Sequence, residues 1–259
     1  MMTDPFFYAT AIPAVIMIGL SKGGFGGALA LLGVLLMALT IPPVQTAAIL
    51  LPIIIVMDMV SLWSWRGHKD NRTLFIMLPG AIVGITIGWA TAAWVTDPMI
   101  RLIVGVVALL FVTRFVSTNM IARRSDSPPP VEGHRPLLGL FWGTLSGFTS
   151  FVSHAGGPPY QIYALPLKQD PKTYTGTSVH YFAVVNAVKL APYFALGQFD
   201  MTNLSTSLVL APLAPVATLA GVFIVKRMRP EVFYPFMYLM VFLTSLKLIW
   251  DGITRLLAG

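Results

Sequence analysis

The chain is a succession of apolar stretches that are too long and too sparsely charged to belong to a water-soluble domain. They cover residues 6–20, 28–41, 44–65, 74–95 and 99–121, and then 137–152, 158–167, 174–196, 204–225 and 232–250. Of 259 residues, 56% are apolar and 10% are charged, against about 45–50% and about 25% in globular proteins. A soluble domain so short of charge could not cover its surface. The expected fold class is all-α, a polytopic helical membrane protein, and at roughly 20 residues per span the length admits about eight to ten segments. The opening Met-Met-Thr-Asp-Pro holds an acid and no basic run, so no cleaved signal peptide is expected and the first helix should stay. With no cysteine, disulfides, thiolate metal sites, iron–sulfur clusters and cysteine nucleophiles are excluded. Twenty prolines and 22 glycines argue against a bundle of uninterrupted helices.

A polar linker, residues 122–136, divides the chain almost in the middle; with Arg123, Arg124, Asp126, three prolines, Glu132, His134 and Arg135 it cannot be a membrane helix. On each side the order is the same: two short segments around a glycine-rich break, then three full-length spans. Ser21 and Ser153 open similar tetrapeptides 132 residues apart, and the Asp97-Pro98 and Arg229-Pro230 pairs keep that spacing. Asp58 falls near Asn186 in the matching segment. The expected organisation is therefore an N-terminal transmembrane repeat (1–121), a cytoplasmic linker (122–136) and a C-terminal transmembrane repeat (137–259). The net charge of +7 reads as basic cytoplasmic loops at 66–72, in the linker and at 226–229, rather than as a nucleic-acid surface. Acidic loops at Asp97 and Asp200 would face outside. Those sides agree only if each short pair returns to the side it left, which makes the two repeats inverted and puts both termini outside.

Two breaks carry the chemistry. The first, Ser21-Lys22-Gly23-Gly24-Phe25-Gly26-Gly27, is poor helix material, and in hydrocarbon its freed backbone groups need protein, water or ligand partners. The helix after it would aim its unsatisfied amides and positive dipole end at the break, an anion-binding arrangement to which Ser21 adds a hydroxyl and Lys22 a charge. The competing reading is close helix packing through Gly23 and Gly27, with Lys22 snorkelling. The second break runs Ser153-His154-Ala155-Gly156-Gly157-Pro158-Pro159, and its prolines should open the short helix that carries Gln161. His154 replaces Lys22 with a group that titrates near neutral pH. Paired broken helices in two halves of a transporter point to a binding site, so Ser21, Lys22, Gly23, Gly24, Ser153, His154, Gly156, Gly157 and Gln161 are the expected substrate-binding residues.

Asp58 lies deep in its segment, where a carboxylate is costly unless it is protonated or paired. It reads either as a proton-coupling group, with His154 and His180, or as a static partner of Lys22 or Lys189. His180 and Lys189 are nine residues apart and point to opposite sides of a helix, so they cannot share one narrow face. Lys189 lies toward an outer span end, where snorkelling is the default, and Arg101, Arg114 and Lys247 read as interfacial anchors. The Gly80, Gly84 and Gly88 run is a packing face, and Pro212 and Pro215 are kinks. No catalytic residues, metal site or cofactor are expected: Ser21 and Lys22 are adjacent and point about 100° apart in a helix, and no metalloprotease, paired-acid or nucleotide-binding motif is present.

Having these breaks, together with Pro42-Pro43-Val44-Gln45-Thr46, Trp63-Ser64-Trp65-Arg66 and His154 to Pro159, the chain resembles the sulfite exporter TauE/SafE family of membrane anion transporters. The resemblance implies about eight spans, export or sometimes uptake of small sulfur oxyanions or organosulfonates, and proton coupling; related thiosulfate carriers use cysteines, which this chain lacks. The expected function is an inner-membrane secondary transporter, an exporter of sulfite or an organosulfonate, in the bacterial inner membrane, with the two breaks facing each other across the site. An anion channel, an importer of another small carboxylate or inorganic anion, and an intramembrane enzyme remain as alternatives. The partners expected are a small anionic substrate and the lipid bilayer, with no nucleic acid; a homodimer stays open.

Overall fold

The computed structural model describes residues 4–25, 27–37, 40–41, 43–91, 97–124, 133–153, 155–195 and 201–258. Among them every regular element is helical and none is a strand: α1 (Pro5–Leu20), α2 (Gly27–Met37), α3 (Pro43–Trp65), α4 (Asn71–Ala90), α5 (Asp97–Arg124), α6 (Pro136–Ser153), α7 (Gly157–Ala164), α8 (Pro171–Ala195), α9 (Met201–Leu210), α10 (Leu213–Arg227) and α11 (Pro230–Ala258). The start of α1 shows how the sequence sets these limits. The Asp4 carboxylate accepts the Phe6 N–H at 2.9 Å, and Pro5, which has no N–H to leave unsatisfied, takes the first helical position.

The helices follow the apolar stretches with one clear departure. Residues 204–225, expected as a single span, belong to α9 and α10, which bend by 48° at Ala211 and Pro212. Pro212 cannot donate to the ladder and its ring crowds the carbonyl one turn back. The Ala211 N–H still closes on the Ser207 carbonyl at 2.8 Å, and the Ala214 N–H turns to that of Ala211 at 3.0 Å. Pro212 is thus the kink that was expected. Pro215 is not, because it sits in the first turn of α10, where its missing N–H breaks no hydrogen bond. Among the described residues, five helices are long and apolar enough to cross a membrane, namely Pro5–Phe25, Ala48–Trp65, Asn71–Ala90, Pro98–Ser117 and Pro230–Leu257, or six if the bent pair is one span.

The chain divides into two compact units, Met1–Asp70 with Pro171–Phe233 and Asn71–Asp170 with Tyr234–Gly259. In the first unit, Phe7, Ala11, Ala14, Val15 and Ile18 of α1 meet Ile49, Leu50, Ile53 and Met57 of α3 in a buried apolar core. Helices α1 and α2 fold back on each other so closely that a methyl at Gly33 would lie 2.6 Å from the Ala14 carbonyl oxygen. On another face, Gly19 and Gly23 lie against Ala217 and Gly221 of α10, where any larger side chain would strike backbone.

The second unit is built on the expected glycine face of α4, and its partner is a second glycine run. A methyl at Gly80 or Gly84 would overlap the carbonyls of Leu140 or Thr144, and one at Gly143 or Gly147 would overlap those of Met77 or Ala81. Spacings of four residues on both helices let α4 and α6 approach backbone to backbone.

Candidate functional site

In the first unit, α1 does not simply stop at Leu20. It continues as a π-helical turn, Ser21–Phe25, that ends where Gly24 turns to φ +139°, a conformation that side-chain-bearing residues rarely adopt. The wide turn and the reversal expose carbonyls that α1 cannot satisfy itself. Helix α3 faces them with one stripe of side chains, Asp58, Ser61 and Trp65, at spacings of three and four residues that place all three on one face, and the last two supply the donors. The Ser61 hydroxyl donates to the Lys22 carbonyl at 2.9 Å and the Trp65 indole N–H to that of Gly23 at 3.2 Å. Lys226 sits over the Trp65 ring, 5.3 Å from its centroid, and donates to the Ser64 carbonyl at 2.9 Å.

The third member of the stripe meets the charge. Lys22 Nζ lies 2.7 Å from Asp58 Oδ1, and Asn186 of α8 donates to Asp58 Oδ2 at 2.7 Å. Both side chains of the ion pair are largely covered, at 17% and 9% exposed, so each depends on the other for the hydration it has lost. Lys189, three residues after Asn186 and 3% exposed, feels the charges of both Lys22 and Asp58. The cluster therefore brings a second lysine to the ion pair.

Of the two readings of Asp58, the structure displays the pairing with Lys22. It also joins Asp58 to Asn186, the residue near which the expected repeat places it. Lys189 corrects an expectation: it does not snorkel to a span end but is buried beside the ion pair. His180 is not brought to this cluster. It is half-buried, and its Nδ1 lies 2.7 Å from the Gly176 carbonyl one turn back in its own helix. Gly23 packs against α10 together with Gly19, as the competing reading expects of Gly23; the surroundings of Gly27 lie outside what is described.

The second break belongs to the second unit. There α6 and α7 form a hairpin, with Gly156 capping α7, Gly157 opening it, and Pro158 and Pro159 buried in its first turn as expected. The Ser146 hydroxyl donates to the Gly156 carbonyl at 2.7 Å, that of Thr149 to the Ala155 carbonyl at 3.2 Å, and the Ala155 N–H to the Thr149 carbonyl at 3.1 Å. Gln161 is 5% exposed. His154 and the side chain of Ser153 lie outside the described residues.

Elsewhere in this unit Arg101 and Lys247 are more than the interfacial anchors expected. Both face Asp251, which is buried: Arg101 Nη1 lies 3.7 Å from Asp251 Oδ2, and Lys247 hydrogen-bonds Oδ1 one helical turn away. Asp251 went unread because an acid near a chain end has no motif around it. Arg114 is exposed, as an anchor would be. Ser61 and Trp65 were also missed as site residues, though their spacing from Asp58 was a usable signal. Among the described residues no group of three or more His, Cys, Asp or Glu is arranged to hold a metal ion.

Apolar helices of spanning length, with an ion pair buried at a glycine-broken turn, define a multi-pass membrane protein of the transporter class. The family model for the sulfite exporter TauE/SafE matches residues 11–248, nearly the whole chain, and the protein belongs to that family. No match to a curated protein or to a solved structure is found.

Proposed function

We propose that the protein is a secondary transporter of the inner membrane that exports a small sulfur-containing anion, sulfite or an organosulfonate, and binds it at the first break. The observation that carries this reading is Lys22, a partly buried ammonium inside a glycine turn whose carboxylate partner, Asp58, stands on a different helix. An ammonium so held can exchange one anionic partner for another without leaving the core. An incoming oxyanion would take Lys22 from Asp58. The released carboxylate, costly as an unpaired buried anion, would then be the group that carries a proton, which couples transport to pH.

Helix order also supports two inverted repeats, 1–121 and 137–259, joined by the linker. In each compact unit the broken helix of one half packs through small residues on the fourth segment of the other half, α1 on α10 and α6 on α4. That is the exchange a duplicated chain would make.

The test is thermal stabilisation of the detergent-solubilised chain by sulfite, methanesulfonate, acetate and divalent cations, followed by flux into proteoliposomes. Sulfur anions should stabilise the wild type and Lys22→Ala should abolish the effect. Stabilisation by cations alone, or undiminished affinity in Lys22→Ala, would overturn the assignment. Flux that is indifferent to an imposed pH gradient would remove proton coupling.

A further inference from the structure

Threonines inside these helices generally return their hydroxyl to the carbonyl one turn earlier. Thr177 does so to Thr173 at 2.6 Å, Thr206 to Thr202 at 2.8 Å and Thr86 to Ile82 at 2.9 Å. Thr175 of α8 and Thr218 of α10 do not. They are 1% and 0% exposed, and neither hydroxyl oxygen has a hydrogen-bond partner among the described residues.

Both residues stand at the first break. A Cβ added to Gly24 would lie 2.7 Å from the Thr175 methyl carbon, and Gly23 is packed against the backbone of Thr218 and the turn that follows it. The absence of side chains at Gly23 and Gly24 is what lets α8 and α10 come so close. Two residues whose buried hydroxyls use neither the local carbonyl nor any other group among the described residues therefore pack against the turn that holds Lys22. A buried donor left without a partner is destabilising, and such a group calls for a reason.

We infer that Thr175 and Thr218 are substrate-binding residues, donating their hydroxyls to oxygens of an oxyanion drawn to the break by Lys22. The inference rests on the reading of the first break as the anion site and sharpens it in one respect: the ligand needs several acceptor oxygens, because the two threonines stand on two helices packed against the turn that holds Lys22. A sulfonate or hydrogensulfite meets that condition.

Thr175→Val and Thr218→Val keep the side-chain shape and delete the donor. Without ligand, each variant of the full chain should melt at the wild-type temperature or slightly above, since an unsatisfied hydroxyl has been removed. The half-saturating methanesulfonate concentration in a thermal-shift titration should rise about tenfold for each, as expected for losing a hydrogen bond to a charged acceptor, and Thr→Ser at either site should restore it.

A lower melting temperature without ligand, together with unchanged half-saturation, would show the threonines to be structural and overturn their assignment. Should the wild type not respond to methanesulfonate, the anion site itself fails; should it respond, and lose the response in Lys22→Ala but not in the valine variants, only the present inference fails.

Discussion

The two breaks solve one physical problem with different means. Each interrupts a helix inside an apolar protein, and each has carbonyls that need donors. At the second break the donors are local: Ser146 and Thr149 of α6 reach forward by ten and six residues to the turn that ends their own helix. At the first they come from α3, with Ser61 and Trp65 acting 39 and 42 residues away in sequence. Closure from within a hairpin needs only hydroxyls. Closure by a separate helix adds Asp58 and so brings a charge pair into the core. The difference teaches that a glycine break is not a site by itself; the first break is distinguished by the helix laid against it.

The most damaging way to test this contrast is to remove the carboxylate. Asp58→Ala leaves Lys22 buried without its partner, and loss of one member of a buried ion pair costs about 3–5 kcal/mol. Equilibrium unfolding in detergent should register that loss, while Lys22→Met combined with Asp58→Leu should recover most of it because the ammonium that loses its partner is removed with it. A loss below about 1 kcal/mol, the scale of a solvated pair, would mean that the first break is no more charged in its interior than the second.

Trp65→Phe comes next in size. It keeps an aromatic ring on α3 and leaves the Gly23 carbonyl buried without its indole donor, at a cost of about 1–3 kcal/mol. Because Gly23 adjoins Lys22, anion affinity should fall together with stability. A variant that melts early yet binds with wild-type affinity would separate the scaffold of the break from its chemistry.

Much of this arrangement is legible in the sequence, and the illegible parts share a cause. Helix positions follow from apolar stretches and break at glycine and proline, so α1 to α8 fall where composition puts them. The likeness of Asp58 and Asn186 across the two halves is visible as sequence, and the two residues turn out to touch. Depth is harder to read. Lys189 has the same sequence context as a snorkelling lysine, and only the way α8 packs on α3 reveals that it is buried. The run Gly139, Gly143 and Gly147 has the same spacing as Gly80, Gly84 and Gly88, but a single glycine face does not announce its partner. Thr175 and Thr218 are ordinary by type; only their missing back-bonds mark them.

The smallest effect is expected at the second break. Ser146→Ala deletes the donor to the Gly156 carbonyl while Thr149 still holds the adjoining carbonyl of Ala155. The net loss of one neutral hydrogen bond is about 0.5–1.5 kcal/mol, so the melting temperature should drop modestly. Half-saturation by methanesulfonate should stay at the wild-type value, because no charged side chain among the described residues of this turn depends on Ser146. If the affinity instead fell as far as in Trp65→Phe, a break closed by its own hydroxyls would contribute to binding as much as the one that holds the Lys22–Asp58 pair. The distinguishing role given to α3 and Asp58 would then have to be shared between the two breaks.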